Sequence, residues 1–310
     1  MTRTQTRTGS AWIILLCAIA LIGTELGARI LIPRISAIEK RVTAERDAAR
    51  AIRPQVELGQ VLLVGNSLLE ASVRVDQLSG AWQPAWRVQR FVVEDTSYLD
   101  WYFGLKTLLE SGAKPDVVAM MLSPKQLLKN QLRGTYSAYH LMSARNALEA
   151  GARAGYGLTD MSGLLIGHLS AAYGLRAEIR NVVMQKALPH PDALAQAFKA
   201  ARGIDPSWQD PKVMAQAISH LTEFKALCDR YGVRCIFIPA PELHPGQAYA
   251  EMTRAGQSAG LASAFFAMPV GYVAEQFQAD RFHMNATGAQ AYTAALGQAL
   301  AEWLPTHASR

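Results

Sequence analysis

Residues 61–69 read VLLVGNSLL, and this stretch decides the fold class. Its four leading apolar residues are closed by Gly65, a pattern typical of a buried parallel strand that turns directly into a helix. Similar short apolar runs recur at residues 88–93, 117–122 and 233–239. Residues 98–111, between the runs at 88–93 and 117–122, are apolar at helical spacing. Strands that alternate with helices predict an α/β fold with an open parallel sheet in three layers.

The composition is that of a chain that buries a large core. Of the 310 residues 50% are hydrophobic and 18% are charged, and this length suits one large or two small domains. The net charge of +6 comes from scattered Lys and Arg residues, so nucleic acid is not an expected partner. The three cysteines match no zinc-binding pattern, and we expect neither a metal nor another cofactor. Cys228 and Cys235 flank a predicted turn and are compatible with a disulfide or with two buried thiols.

The N-terminus holds an uncharged apolar segment. Residues 11–24 reach about 21 Å as a helix, short of a hydrocarbon layer of about 30 Å. Extension to Ile32 reaches about 33 Å and includes Glu25 and Arg29, which can pair on one helical face. Pro33 then predicts the end of the span. We therefore predict an uncleaved membrane anchor; the alternative is a secretory signal cleaved at the small residues near 18–20.

A charged segment rich in Ala, Glu and Arg follows the apolar one, and together they divide the chain into four parts. These are a cytoplasmic tail (residues 1–10), a transmembrane anchor (11–33), a solvated helical stalk (34–54) and a main domain (55–310). Within the main domain, residues 125–210 are too long for a plain crossover between strands. They predict a helical insertion, which is either a cap over the site or a packing appendage.

Ser67 directly follows the first predicted strand. The carboxyl ends of the strands form the ligand crevice of an open α/β sheet, and the next helix adds backbone N–H groups there. A serine at this turn is either a helix N-cap or a nucleophile, and a nucleophile requires a base with its own orienting partner. Asp280 and His283 lie three residues apart before a helical run and have the spacing to supply both. The sequence thus predicts a triad of Ser67, His283 and Asp280.

Two motifs resemble those of a known family. They are Gly65-Asn66-Ser67-Leu68 after the first strand and Asp280-x-x-His283-x-Asn285-x-x-Gly288 before the last helix. They resemble the first and last sequence blocks of the SGNH (GDSL-like) hydrolase superfamily, whose usual Gly-Asp-Ser is Gly-Asn-Ser here. The resemblance implies a flavodoxin-like sheet and an acyl-enzyme mechanism on Ser67. With the apolar N-terminus and KPDVV at residues 114–118, the layout is similar to the membrane-anchored subgroup of polysaccharide O-acetylation and D-alanyl-lipoteichoic acid transfer proteins.

The family's second and third blocks, which supply oxyanion donors, have no clear counterpart in this sequence. By position they correspond to the loops at residues 94–97 and 123–126. We expect an oxyanion hole formed by the backbone N–H groups of Ser67 and Ser97, with a side chain such as that of Ser123, Lys125 or Gln126. A hole that lacks one donor slows acyl transfer about a hundredfold or more, so this region bears on whether the protein is an enzyme.

Two further positions are candidates for substrate contact. His244 lies on the loop after the fourth strand, where it contacts substrate, forms an alternative base with Glu242, or is a polar loop residue. Tyr98 belongs to an aromatic group that either lines a sugar-binding groove or packs in the core. The pattern predicts only surface or insertion roles for the remaining histidines: His140, His168, His190, His220 and His307.

The predicted function is transfer or hydrolysis of an O-acyl group, such as acetyl, on an exported polysaccharide or cell-envelope polymer. An integral membrane protein would supply the acyl group to a main domain held outside the cytoplasm by a single inner-membrane span. Arginines on both sides of the span leave its orientation to be inferred from this chemistry. The alternative from another class is a catalytically silent scaffold or binding protein of a polysaccharide secretion complex. A lipase or thioesterase is a third reading, and it would prefer long acyl chains.

Overall fold

The computed structural model describes residues 3–55, 57–82, 85–187, 207–261 and 271–306. Its centre is a sheet of four parallel strands in the order β2-β1-β3-β4. The strands are β1 (Gly59–Gly65), β2 (Trp86–Val92), β3 (Val117–Leu122) and β4 (Arg234–Pro239). Val61 pairs with Val88 on one side and with Val117 on the other, so β1 is a central strand. The predicted α/β class with a parallel sheet is confirmed.

Helices precede the sheet, connect its strands and follow it. The N-terminal helices are α1 (Arg3–Ile35) and α2 (Ala37–Arg50). Between β1 and β3 the chain forms α3 (Ser67–Ser72), α4 (Val75–Trp82) and α5 (Tyr98–Glu110). Between β3 and β4 the described residues form α6 (Pro124–Leu128), α7 (Thr135–Leu141), α8 (Ala144–Arg153), α9 (Leu158–Leu169), α10 (Ala171–Gly174), α11 (Arg176–Ala187) and α12 (Pro211–Arg230). After β4 they form α13 (Gln247–Ser258), a 3-10 turn (Ala274–Gln276) and α14 (Ala286–Thr306).

Both faces of the sheet are buried, because alternate side chains of each strand enter two separate hydrophobic clusters. Leu62 and Val64 enter one cluster, to which α5 and α12 also contribute. Leu63 enters the other cluster, which includes Tyr292 and Leu296 of α14. A strand buried on both faces has no polar side to show, which is why β1 and β3 read as continuous apolar runs.

Helix α1 contains an apolar stretch, Ala11–Ile35, whose 25 residues are long and apolar enough to cross a membrane. Pro33, predicted to end the membrane span, lies inside helix α1, which continues to Ile35. The end of the span stays a prediction. Proline removes one backbone donor but does not force an immediate stop. The break falls at Ser36, whose backbone is extended and whose hydroxyl accepts a hydrogen bond from the Glu39 N–H at 3.1 Å. Ser36 therefore ends α1 by capping α2.

Helix α2 packs on the sheet and is not the solvated stalk expected from its composition. Val42 and Ala49 are fully buried. Glu45 accepts a hydrogen bond from the Val92 N–H at 2.8 Å and pairs with Arg90, also at 2.8 Å, so it binds the edge strand β2. The charged composition concealed this contact, because Glu45 of α2 is paired with Arg90 of β2 rather than solvated.

The predicted insertion is helical through α11, and residues 188–206 lie outside the described part of the chain. Helix α9 packs against α7 and α8, which in turn pack on α5, whereas α10 and α11 contact α1. The side-chain hydrogen bonds of Ser67, Asp280 and His283 run among these three residues and to the backbone of Phe282 and His283. The described helices therefore favour a role beside α1 rather than a cap over the predicted triad.

Cys228 near the end of α12 and Cys235 in β4 are free thiols. Cys228 is fully buried, and its thiol is hydrogen-bonded to that of Cys235. Of the two alternatives for this pair, the structure has the unbridged one.

Candidate active site

The turn from β1 to α3 is built by Gly65 and Asn66. A Cβ at Gly65 would lie 2.7 Å from the carbonyl oxygen of Met121 on the neighbouring strand, so the close approach requires glycine. Asn66 is fully buried and is the N-cap of α3. Its Oδ1 accepts from the Leu68 N–H at 3.0 Å, and its Nδ2 donates to the Thr96 carbonyl at 3.0 Å. Because Asn66 performs the capping, the hydroxyl of Ser67 is left available at the carboxyl edge of the sheet.

The loop before α14 is held by Asp280. Its Oδ1 accepts hydrogen bonds from the N–H groups of Phe282 and His283, each at 3.0 Å. Arg281 has a φ of 55°, in the left-handed region that non-glycine residues rarely adopt. The Gln278 N–H donates to the His283 carbonyl at 2.7 Å and closes the loop. The tight turn directs the His283 ring back over Asp280.

Ser67, His283 and Asp280 form a continuous hydrogen-bonded chain. His283 Nδ1 lies 2.7 Å from Asp280 Oδ2, and His283 Nε2 lies 2.9 Å from Ser67 Oγ. A carboxylate can only accept, so Nδ1 carries the proton and Nε2 is left to accept from the serine hydroxyl. The side chains of His283 and Asp280 are 19% and 27% exposed, so the chain of bonds is open to a ligand from solvent.

The charge on Asp280 is stabilised by the loop that it organises. Burial by itself would raise the pKa of this carboxyl group. The hydrogen bonds from the His283 backbone, the His283 ring and the Phe282 backbone outweigh burial and lower the pKa from 3.8 to about 2. Asp280 is therefore ionised at neutral pH.

Asn285 and Gly288 lock the loop to the 3-10 turn. Asn285 Nδ2 donates to the carbonyl oxygens of Glu275 at 2.6 Å and Phe277 at 3.1 Å, and its Oδ1 accepts from the Gly288 N–H at 3.1 Å. A Cβ at Gly288 would lie 2.2 Å from the Gln276 carbonyl oxygen. These two residues of the C-terminal motif therefore position the base rather than touch the hydroxyl.

The Ser97 N–H, expected as an oxyanion donor, is engaged elsewhere, and this part of the prediction is wrong. A role of the Ser123 side chain as a donor stays a prediction. The Ser97 N–H donates to Asp100 Oδ2 at 2.9 Å, and its hydroxyl donates to the Gln131 carbonyl at 2.8 Å. The Ser123 N–H donates to Gln126 Oε1 at 2.9 Å, and its hydroxyl accepts from the Gln126 N–H. Both serines head capping boxes at the starts of α5 and α6, which satisfy donors that those helices would otherwise leave unpaired.

Three backbone N–H groups near Ser67 stay unengaged by the described residues: those of Ser67, Asp95 and Thr96. The first belongs to the opening turn of α3, where N–H groups have no partner within the helix. Asp95 has a φ of 55°, a conformation that favours glycine. The Asn66–Thr96 hydrogen bond ties this loop to the turn that carries Ser67. The N–H groups of residues 95 and 96 are thus candidate donors that the sequence did not single out, since only the position of their loop pointed to them.

Tyr98 and His244 do not join the three residues of the triad. Tyr98 is fully buried, donates to the His220 carbonyl at 2.6 Å and stacks on the His220 ring, so it is a core residue and not part of a sugar groove. His244 is exposed. Glu242, its proposed partner as an alternative base, is hydrogen-bonded to Tyr249. A role of His244 in substrate contact stays a prediction.

A buried polar cluster between α2 and α7 was not predicted. His140 of α7 lies 3.1 Å from Glu39 of α2, and their side chains are 0% and 1% exposed. Tyr136 donates to the same carboxylate. Burial opposes the charge on Glu39, but the contact with His140 and the hydrogen bond from Tyr136 outweigh it and lower the pKa of Glu39. No spacing pattern links residues on two separate helices, so the sequence offered no signal for this cluster.

Within the described ranges, no group of three His, Cys, Asp or Glu side chains is arranged to hold a metal ion.

Comparisons with known proteins add little to this geometry. No protein-family model matches the chain, and no curated protein matches it. Among solved structures, the chain is similar to LAE5, described as an alpha/beta hydrolase enzyme from the metagenome of Lake Arreo, Spain. The identity is 14% and the TM-score is 0.39, over 78% of this chain and 94% of that chain. A likeness at this level carries no argument about function, so the function rests on the geometry of the site.

Proposed function

We propose that the protein is a serine-dependent O-acyl hydrolase or transferase of the SGNH type, with Ser67 as nucleophile, His283 as base and Asp280 as the residue that orients it. The observation that carries the proposal is the chain of hydrogen bonds at 2.7 and 2.9 Å that runs from Asp280 through His283 to Ser67. Three polar groups in this order, at the carboxyl edge of a parallel sheet, have the arrangement that activates a serine.

In the proposed reaction, Ser67 Oγ attacks the carbonyl carbon of an ester while His283 Nε2 takes the hydroxyl proton. The imidazolium returns this proton to the departing alcohol, and the acyl group stays on Ser67 as an ester. Water or a sugar hydroxyl then loses a proton to His283 and attacks the acyl-enzyme, which restores the serine. Asp280 stabilises the imidazolium in both steps, and the backbone N–H groups of Ser67 and of residues 95–96 stabilise the oxyanion.

The proposed substrate is an exported polysaccharide or another polymer of the cell envelope. The partly exposed His283 and Asp280 suit a chain that binds across an open site, since a small buried substrate would require an enclosed pocket. The apolar stretch Ala11–Ile35 would hold the protein at the inner membrane as a single span, with the main domain outside the cytoplasm. An integral membrane protein would then supply the acyl group.

A second candidate is a catalytically silent scaffold of a polysaccharide secretion complex. The observation that favours it is that the N–H groups of Ser97 and Ser123 are engaged in capping boxes, so neither is free to serve as an oxyanion donor. A site with fewer donors would be slower by about a hundredfold for each one missing.

Turnover of p-nitrophenyl acetate by the full-length chain in detergent tests the proposal. Ser67→Ala should remove turnover, and Ser219→Ala on the exposed face of α12 is the matched control that should keep it. Mass spectrometry of the quenched reaction should find the acetyl group on the peptide containing Ser67. Equal turnover by wild type and Ser67→Ala would reject Ser67 as the nucleophile.

A second arm separates the functions. An acetylated product after addition of an oligosaccharide acceptor indicates a transferase, and release of acetate alone indicates an esterase. Absence of turnover with p-nitrophenyl acetate and with acetylated polysaccharides would favour the scaffold.

A further inference from the structure

The protein's own insertion covers part of the apolar helix α1. Ala28 and Ile32 of α1 are 6% and 7% exposed, and both pack into the main hydrophobic cluster. Glu25 accepts hydrogen bonds from the Ala171 N–H at 2.8 Å and the Ala172 N–H at 3.1 Å. One turn later, Arg29 donates to the Leu169 carbonyl at 2.9 Å. The end of α9 and the start of α10 are therefore fixed to α1 at the level of residues 25–29.

The part of α1 that stands free of the insertion is too short to cross a bilayer. It comprises residues 11–24, whose length as a helix is about 21 Å, whereas the hydrocarbon layer is about 30 Å thick. A span that begins at Ala11 must continue to about residue 30 to fill that layer. The level of Glu25 and Arg29 then lies inside the edge of the hydrocarbon layer, and so do the insertion residues bound there.

The insertion presents apolar side chains to solvent at this level. Leu169 is 61% exposed and Ile166 is 49% exposed, and Leu158, on the same face of α9, is 87% exposed. Tyr173 of α10 is 38% exposed, and the Arg176 guanidinium lies 4.2 Å from the centre of its ring. Apolar side chains beside a tyrosine and an arginine are the composition found where a protein meets the boundary between acyl chains and head groups.

We infer that the edge of the insertion formed by α9 and α10 enters the membrane leaflet beside α1, with lipid acyl chains as its partner. The inference rests on the proposed single-span anchor and on no part of the proposed chemistry. Lipid is the occupant because this apolar surface is continuous with the outer side of α1, where Leu26 and Ile30 are 52% and 48% exposed at the same level. The insertion is thus a second, monotopic contact with the bilayer.

Site-directed spin labelling of the full-length chain tests this contact in vesicles of phosphatidylethanolamine and phosphatidylglycerol. Three positions are matched in exposure: Ile22 in the free part of α1 at 60%, Leu169 at 61% and Val273 near the candidate active site at 60%. Each is changed to Cys in a background with Cys17→Ser and Cys235→Ser, where the fully buried Cys228 is left in place. Power saturation then compares relaxation by oxygen, which concentrates in lipid, with relaxation by a water-soluble nickel chelate.

The expected result is that Ile22 and Leu169 respond to oxygen several-fold more than to nickel, whereas Val273 responds mainly to nickel. A lipid-exposed Ile22 with a water-exposed Leu169 would overturn the inference and leave the anchor standing. A water-exposed Ile22 would overturn the anchor and the inference with it. The ester-turnover experiments are independent of both outcomes.

Discussion

Two loops flank Ser67, and their polar residues have different roles. The loop at residues 94–97 and the loop at residues 280–283 each contain one non-glycine residue with a φ of 55°, Asp95 and Arg281. In the second loop Asp280 accepts the backbone hydrogen bonds, so the His283 ring is left to reach Ser67. In the first loop Ser97 itself serves the backbone of α5.

The difference shows what frees a side chain for chemistry. A polar residue at the start of a helix pairs with the unsatisfied N–H groups there unless a neighbour takes over that role. Asn66 takes it over for Ser67, and Asn285 caps α14, so His283 is not drawn into that role. Ser97 and Ser123 have no such neighbour, and each caps its own helix.

The substitution with the largest expected effect on the second loop is His283→Ala, which removes the proposed base. We expect ester turnover to fall on the order of 10⁶-fold, as happens when the central residue of a serine triad is removed. The measurement is kcat with p-nitrophenyl acetate. His168→Ala, a histidine bound to a carbonyl within the insertion, is the control that should keep normal turnover. A loss smaller than about tenfold at position 283 would be inconsistent with its role as the base.

Asp280→Asn tests whether the orienting carboxylate matters in the same loop. The amide can cap the loop but cannot stabilise an imidazolium, so we expect kcat to fall on the order of 10⁴-fold.

The same variant should alter the pH dependence of stability. The folded state lowers the pKa of Asp280 from 3.8 to about 2, so its stabilising contribution is complete above the unfolded pKa and is lost as the pH falls toward 2. The free energy of unfolding, measured with urea, should therefore fall more for the wild type than for the variant between about pH 4 and pH 2. Parallel curves for the two proteins would contradict the assigned pKa shift.

Asn66→Asp probes the residue that frees Ser67. The carboxylate can still accept from Leu68 but cannot donate to the Thr96 carbonyl, and both groups are buried. We expect a loss of about 1–3 kcal/mol in the free energy of unfolding. Because the loop of residues 94–97 loses its tie to Ser67, kcat should fall as well. Asn181→Asp on the exposed face of α11 provides the control, and equal stability of the two variants would argue against the buried hydrogen bond.

Ser97→Ala and Ser123→Ala test whether the two serines that cap helices also take part in catalysis, and they have the smallest expected effects. Each should cost about 1 kcal/mol of folding free energy, the usual value for a lost N-cap. Turnover of p-nitrophenyl acetate should stay within about tenfold of the wild type, whereas removal of a true oxyanion donor costs about a hundredfold or more. Ser97→Ala keeps the backbone N–H of residue 97, so only a larger loss in Ser123→Ala would restore a serine hydroxyl to the oxyanion hole.

The sheet was predictable because its strands are buried on both faces and therefore read as short apolar runs closed by turns. The pairing of Ser67 with His283 was predictable from motif order, since the carboxyl ends of parallel strands converge on one edge of the sheet. The contact between Asp280 and the His283 ring was predictable from their spacing, and the loop folds back as a tight turn.

The engagement of Ser97 and Ser123 was missed although the sequence held a signal for it. Ser97 precedes Asp100 by three residues and Ser123 precedes Gln126 by three, which is the spacing of a capping box. The prediction instead followed the position of the two serines beside the crevice and assigned them to the oxyanion hole. Local hydrogen bonds form without any loop closure, so they prevail over a distant partner when both are available.

The packing of α2 and the buried contact between Glu39 and His140 had no local signal at all. The charges of α2 suggested solvent exposure, and only their partners on β2 and α7 make burial tolerable. Such partners come from long-range folding, which one sequence does not reveal.

The hydrogen bond between His283 and Ser67 joins residues 216 positions apart, so the order of synthesis bears on when the serine becomes reactive. The ribosome makes β1 and Ser67 early, but no base reaches the hydroxyl until the segment before α14 has been translated and has docked. Under the proposed mechanism, Ser67 is therefore activated only after the segment before α14 has been made and has docked.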